Sequence, residues 1–401
     1  MGLETFDLEQ IQKAIRQNKN CDGWLLYDFH GHNSIALDIL CIKPTQILSR
    51  RFFYWIPKSG LPTKLVHQVE DDSLDHLPGK KELYDSWESL ETKLAQLMEK
   101  KRCVAMEHAP DCKIPIISKL DSGTFEWLTK RNITIISSWP IAESFLCRLD
   151  KKQQQSHKSA AKLLIKAYKS AWNLVEKALK ARKKITEYDV QQHIMETIEQ
   201  AGYMSSIPPI VAVDANAALP HYLPSKKSAR QIKENMLLLI DLSAKLNSAR
   251  SIFSDLTQVA FIGKNPPQEL VQRYAIVYEA QKQAIDFLSK RCSQKKPVTG
   301  SELDDVCRAV LCRHNLGKYF VHRTGHNIYY DMHGLGPNLD NFETCDTREL
   351  LPRTCYSIEP GIYFPGAYGI RLECNIFIND EAGVEVTAPS SPHLVCLKTA
   401  T

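Results

Sequence analysis

The chain has 401 residues, enough for two domains that each bury a core. Hydrophobic residues at 43% and charged residues at 24% are ordinary globular values, and a net charge of +5 is small for this length. No apolar run reaches the roughly eighteen residues of a membrane span, and MGLETFDLEQIQKAIRQ lacks a leader's continuous apolar segment. Twelve cysteines in a long chain without a leader read as reduced thiols. These features predict a cytoplasmic protein with no nucleic-acid and no membrane partner.

Residues 4 to 17 read as a helix, and Gly23 to Asp28 (GWLLYD) as a strand. Further strands are expected at Gln46 to Ile56, Lys64 to Glu70, Arg102 to His108 and Ile133 to Ser138, with a helix from Ser86 to Lys100 among them. Alternation of strands and helices predicts an α/β layer domain over 1–150. Its polar residues are scattered, and His30 and His32 read as loop residues rather than ligands. The boundary falls near Asp150, in the polar stretch LDKKQQQSHKSAAK. From Ala160 apolar positions recur with the period of a long helix, and its lysines form a solvated outer face. A second helix is expected from Thr186 to Gly202. Buried strands follow at Met236 to Asp241 and Ile252 to Ile262, then helices at Pro267 to Lys290 and Ser301 to Asn315, the latter opened by Thr299 and Gly300.

The chemistry is concentrated in two acidic hairpins. Asp241 ends the run MLLLID and Asp255 lies in the alternating FSDLTQVAFI, fourteen residues on. A hairpin centred near Ser248 would set the two carboxylates opposite each other, about 5 Å apart at Cβ. Glu359 and Glu373 interrupt apolar runs and are also fourteen apart, around Pro365-Gly366, with His322, His326 and His333 just upstream. Carboxylates inside buried strands are costly unless paired or bound to cations. Four of them with an imidazole predict a pair of divalent metals, and mostly oxygen ligands favour manganese, with iron, cobalt or zinc compatible. Cys355 and Cys374 flank these strands; alternation turns Cys374 away from the face of Glu373, toward a packing role.

The segments HRTGH, SIEPGIY and GIRLE, with the two upstream aspartates, resemble the pita-bread metallopeptidases: methionine aminopeptidase, aminopeptidase P and prolidase. The resemblance covers Lys158 to the C-terminus. It implies a pita-bread catalytic domain over 151–401, with Asp241, Asp255, His326, Glu359 and Glu373 as ligands to two metals. It implies substrate-side roles for His221, His322 and His333, with Glu359 carrying a proton and Arg371 orienting a ligand carboxylate. FFYWIPKSGLPTKLVHQVED resembles the creatinase-type domain of the proline-directed branches. The implied protein is therefore an α/β (α+β) enzyme, a homodimer that acts on peptides. It would hydrolyse the Xaa-Pro bond of peptides or dipeptides with water activated between two metals. The alternatives are a methionine aminopeptidase and a non-catalytic peptide-binding protein. Ser243 and Tyr329 stand where the family carries glycines, and larger side chains there would narrow the cleft.

Overall fold

The computed structural model describes residues 5–18 and 21–399, and the chain divides into two compact units, Met1–Leu146 and Cys147–Thr401. In the first unit helix α1 (Leu8–Gln17) starts at Asp7, whose carboxylate accepts from Gln10 N at 3.0 Å. Residue 4, expected to begin this helix, lies outside the described residues. Strands β1 (Gly23–Asp28), β2 (Phe52–Pro57), β3 (Thr63–His67), β4 (Lys80–Tyr84), β5 (Cys103–Met106) and β6 (Thr134–Ser137) form one sheet in the order β4-β3-β2-β1-β5-β6. Only β2 runs against the others, through antiparallel pairing with β1 and β3. Helices α2 (Ser34–Ile39), α3 (Trp87–Met98), α4 (Ser122–Thr129) and α5 (Trp139–Leu146) complete the layers. With layers on both sides, β1 is buried along its whole length, as its uninterrupted apolar run requires.

Two expectations are corrected here. The strand expected from Gln46 begins only at Phe52, because Glu70 takes the backbone N–H groups of Ser49 and Arg50 at 2.9 and 3.1 Å and holds them in a loop. The strand β4 was not expected at all. Its sequence KKELY is mostly solvent-facing, as befits a charged edge strand.

The second unit opens with α6 (Lys151–Lys180), which starts nine residues before the apolar period does. Asp150 and Gln153 form a reciprocal capping box there, so the polar boundary stretch is itself helical. Helix α7 (Glu187–Gln200) follows, then β7 (Tyr203–Met204), β8 (Ile210–Val213), β9 (Leu237–Leu246) and β10 (Ser254–Ile262). Helices α8 (Gln268–Ser293) and α9 (Gly300–Arg313) precede β11 (Asn327–Ile328), β12 (Thr354–Ile358), β13 (Gly361–Phe364), β14 (Tyr368–Arg371), β15 (Cys374–Ile378), β16 (Val384–Ala388) and β17 (Val395–Leu397). One sheet runs β17-β10-β9-β7 with β8 also on β9, another β11-β12-β15-β16, and β13 and β14 pair alone. A large apolar cluster joins α8 and α9 to the β9–β10 and β12–β15 strands, and a second packs α6 and α7 onto the other face of β9 and β10.

The two acidic hairpins differ in register. In β9–β10 Asp241 faces Thr257 and Asp255 faces Ser243, so the aspartates are diagonal neighbours and not opposed as the spacing predicted. Ser251 causes the offset: its hydroxyl binds the carbonyls of Leu246 and Ser248 and moves the centre of the turn one residue on. The other hairpin keeps the expected register. Thr354 faces Ile378 in β12–β15 and Gly361 faces Arg371 in β13–β14, so one register continues across the break where Glu359 and Glu373 stand.

Candidate metal centre

Glu359 and Glu373 leave the ladder where β12–β15 gives way to β13–β14, which frees their side chains from a flat sheet face. Asp255 is carried on β10, where its own N–H donates to Asn375 Oδ1 at 3.0 Å. His326 comes from the loop after α9, and its N–H donates to Ser357 Oγ at 3.0 Å. Gly325 lets this loop approach: a Cβ there would lie 2.1 Å from the Ser357 carbonyl oxygen. Asp255, His326 and Glu373 are buried, and each offers a ligand atom within 4.8 Å of the others. Glu359 joins them with Oε1 3.4 Å from His326 Nε2, while Asp255 Oδ2 is 3.7 Å from the same nitrogen.

The electrostatics of this arrangement ask for a cation. His326 Nδ1 lies 3.2 Å from the Asn327 carbonyl oxygen, which can only accept, so the ring proton sits on Nδ1. Nε2 therefore turns a lone pair toward two carboxylates. Burial, then the neighbouring carboxylates, drives the carboxyls of Asp255 and Glu373 upward; burial raises that of Glu359 to about 7 against the pull of Arg371 and Arg323, and burial drives His326 down. Glu373 Oε2 accepts from Thr257 Oγ1 at 2.8 Å, but its buried Oε1 has no hydrogen-bond partner. An orphaned carboxylate oxygen beside a lone pair is poorly placed without a metal and well placed with one. The donor set, oxygens with one imidazole, fits hard or borderline divalent cations.

Asp241 is more open, and Arg371 holds it, with Nη2 2.5 Å from Oδ2. The same guanidinium donates from Nε to Thr257 Oγ1 at 3.1 Å and from Nη1 to Tyr363 Oη at 2.8 Å. Tyr363 in turn donates to His322 Nε2 at 2.8 Å, because His322 Nδ1 donates to the Arg323 carbonyl at 2.7 Å. Desolvation first, then Arg371, lower His322 to about 3 and keep it neutral for this role. His333 meets His326 edge to face with ring centroids 4.2 Å apart, and its electrostatics register the nearby His221. The residues singled out in the sequence are thus drawn into one neighbourhood by different elements. Tyr329 is 6% exposed and packs in a cluster with Tyr330, Phe253, Cys355 and Phe377. Its bulk is absorbed by that cluster.

Several supporting residues had no sequence signal. Asp304, fully buried in α9, accepts from Thr324 N at 3.0 Å and Thr324 Oγ1 at 2.6 Å. Its partner Arg308 donates to the His322 carbonyl at 2.9 Å, so this pair braces the whole HRTGH loop. In sequence they look like a surface i,i+4 pair. Tyr363 and Thr257 connect Arg371 to His322 and Glu373, and only the register of the strands reveals them.

The profile of metallopeptidase family M24 matches residues 156–380. The chain belongs to that family. A putative Xaa-Pro aminopeptidase from Mycoplasma pneumoniae is 32% identical over 206 residues, covering 51% of this chain and 54% of its own. The chain thus spans about half the length of the curated relatives it matches. The fold is that of the prolidase from Thermococcus sibiricus, with TM-score 0.66, 22% identity and coverage of 98% of this chain and all (100%) of the other. An X-prolyl aminopeptidase from Caenorhabditis elegans, described as a cytosolic enzyme with a di-nuclear active site, gives TM-score 0.64 at 19% identity, covering 96% and 63%. This is the pita-bread architecture, preceded by an α/β unit.

Proposed function

We propose that the chain is a dinuclear metal-dependent exopeptidase that hydrolyses the bond between a first residue and a following proline, in peptides or in dipeptides. The observation that carries this reading is the orphaned Glu373 Oε1 in a buried nest of carboxylates facing the lone pair of His326. Asp241, Asp255, His326, Glu359 and Glu373 would hold the ions, with manganese preferred by the oxygen-rich set. Two such ions supply an acidified water and a Lewis acid for the scissile carbonyl.

The remaining work falls to the protein. Arg371 holds Asp241 in an ion pair, and Thr257 orients Glu373. Glu359, with Ser357 Oγ 3.1 Å from its Oε1, is the proton carrier to the leaving nitrogen. Proline's nitrogen is tertiary in the peptide and leaves only after protonation, so the reaction needs a carboxyl placed to carry that proton. His221 and His333 line the substrate side, and a substrate reaching His322 must exchange with the Tyr363 hydroxyl. Family membership and the names of the aminopeptidase and prolidase relatives support this substrate class.

Residues 1–150 serve in this reading as a creatinase-type N-terminal domain, and the working form is a cytoplasmic homodimer. No helix among the described residues is long and apolar enough to cross a membrane. The test is a manganese-loaded panel of Xaa-Pro dipeptides, Xaa-Pro-Yaa peptides and Met-Ala-Ser, with elemental analysis and light scattering on the same sample. Two metals per chain, a dimer and preference for proline substrates are expected. Faster cleavage of Met-Ala-Ser than of every proline substrate overturns the assignment.

A further inference from the structure

The N-terminal unit carries no constellation legible in its sequence, yet its sheet ends in a cavity of about 620 Å3. Strands β1, β3 and β4 run parallel to one another, and the cavity lies at their carboxyl ends, against Tyr27, Asp28, His67 and Tyr84. Open α/β sheets bind ligands at this edge, and the volume lies within the range of small-molecule sites.

Hydrogen-bonding capacity in the lining is lopsided. Asp28 is fully buried, with both oxygens accepting from the backbone, from Gly31 N at 2.8 Å and Asn33 N at 2.7 Å. Asp121 caps α4 through Thr124 N at 2.9 Å, and Asp85 accepts from Ser89 Oγ at 2.8 Å. Each acid is therefore held by the protein through at least one oxygen. Of the cations, Arg50 donates to Ser49 Oγ at 2.8 Å, whereas among the described residues neither the Arg51 guanidinium nor the Lys119 ammonium has a hydrogen-bond or ion-pair partner. Val69 N donates to His67 Nδ1 at 3.0 Å, which places the proton of the neutral ring on Nε2 as one more donor. Trp87 and Phe29 line the same cavity with 64% and 41% of their surface exposed.

We propose that this cavity binds a small aromatic oxyanion, its phosphate or carboxylate held by Arg51 and Lys119 and its ring laid against Trp87 and Phe29. A guanidinium fork suits either anion, and aromatic faces suit a planar ring, so the ligand must carry both parts. None of its lining residues belongs to the metal centre, and the proposal does not rest on the peptidase reading.

The test is calorimetric titration of the full-length, manganese-loaded protein, with the cavity variant below separating this site from the metal centre. AMP and N-acetyltryptophan present the two oxyanions on a ring; adenosine and inorganic phosphate present the parts alone. Saturable binding near one per chain is expected for at least one ringed anion, at least tenfold tighter than for either part. AMP alone binding assigns phosphate, N-acetyltryptophan alone assigns carboxylate, and both together assign the shared class. The double variant Arg51→Met/Lys119→Met, confined to side chains without protein partners, should weaken that binding at least tenfold, and Trp87→Ala should weaken it as well. No saturable heat from either ringed anion, adenosine binding as tightly as AMP, or binding untouched by the double variant would each overturn the proposal.

Discussion

Single residues hold this centre at two depths. Away from the candidate ligands in sequence stands Glu187, fully buried at the start of α7. It accepts from Val213 N at 2.8 Å, Asn216 Nδ2 at 2.9 Å, Tyr222 Oη at 2.7 Å and Arg230 N at 2.7 Å. One carboxylate thereby closes the segment that carries His221. Glu187→Gln puts an amide donor among donors, at a cost of roughly 1–3 kcal/mol. Hydrogen exchange should quicken across 213–230 and stay unchanged around His326, with KM for a proline peptide rising several-fold and kcat nearly constant. A rise in exchange spread evenly over the second unit would count against this anchoring role. Gly325 acts at shorter range. Gly325→Ala drives a methyl into the Ser357 carbonyl oxygen, so a loss on the order of 3 kcal/mol is expected, together with displacement of His326. Denaturation midpoints and metal content measure the two effects separately.

Among the elements, α6 is fastened to the sheets by a buried histidine. His157 Nδ1 donates to the Phe253 carbonyl at 2.6 Å and Nε2 accepts from Thr387 Oγ1 at 2.7 Å, so the ring stays neutral, and burial lowers its pKa to about 4. The unfolded chain takes up a proton near pH 6.5 while the folded one does not until about 4. Stability from this group is therefore full above pH 6.5 and falls as the pH drops toward 4. Between pH 7 and 5 the loss is about 2 kcal/mol. Urea midpoints of wild type and His157→Gln, compared at both pH values, should differ in their pH dependence by that amount; parallel curves would refute it. Legibility in the sequence followed the same elements. The glutamate hairpin could be read because Pro365-Gly366 marks its centre and its register has no irregularity. The aspartate hairpin was misread because a serine hydroxyl, not a turn signature, sets its centre. Strand β4 was missed because an edge strand is polar, and Asp304 because an acid in the first turns of a helix looks like a surface charge.

At the scale of the whole molecule, the acids of the centre couple metal, protons and folding. Their carboxyl pKa values lie above the ordinary range when no cation is present, because burial and mutual repulsion favour the protonated forms. The stability such groups allow is present below their unfolded pKa and is lost as pH rises through the raised folded values. Metal-free protein should therefore weaken on going from about pH 5 toward neutrality, apart from the opposite trend due to His157. Manganese should restore it and release protons on binding. Calorimetry in two buffers of different ionisation enthalpy reads the protons, and thermal unfolding with and without EDTA reads the stability. An equal melting temperature in both states at pH 7.5 would refute the coupling. At a hundredfold excess over its dissociation constant, a ligand adds about 2.7 kcal/mol to the folded state. In a cell that margin separates a chain that persists from one that quality-control proteases clear. A metal held at the lone oxygen of Glu373 would thus tie the lifetime of each copy to the supply of a trace nutrient, and scarcity would thin the population before it slowed any surviving molecule.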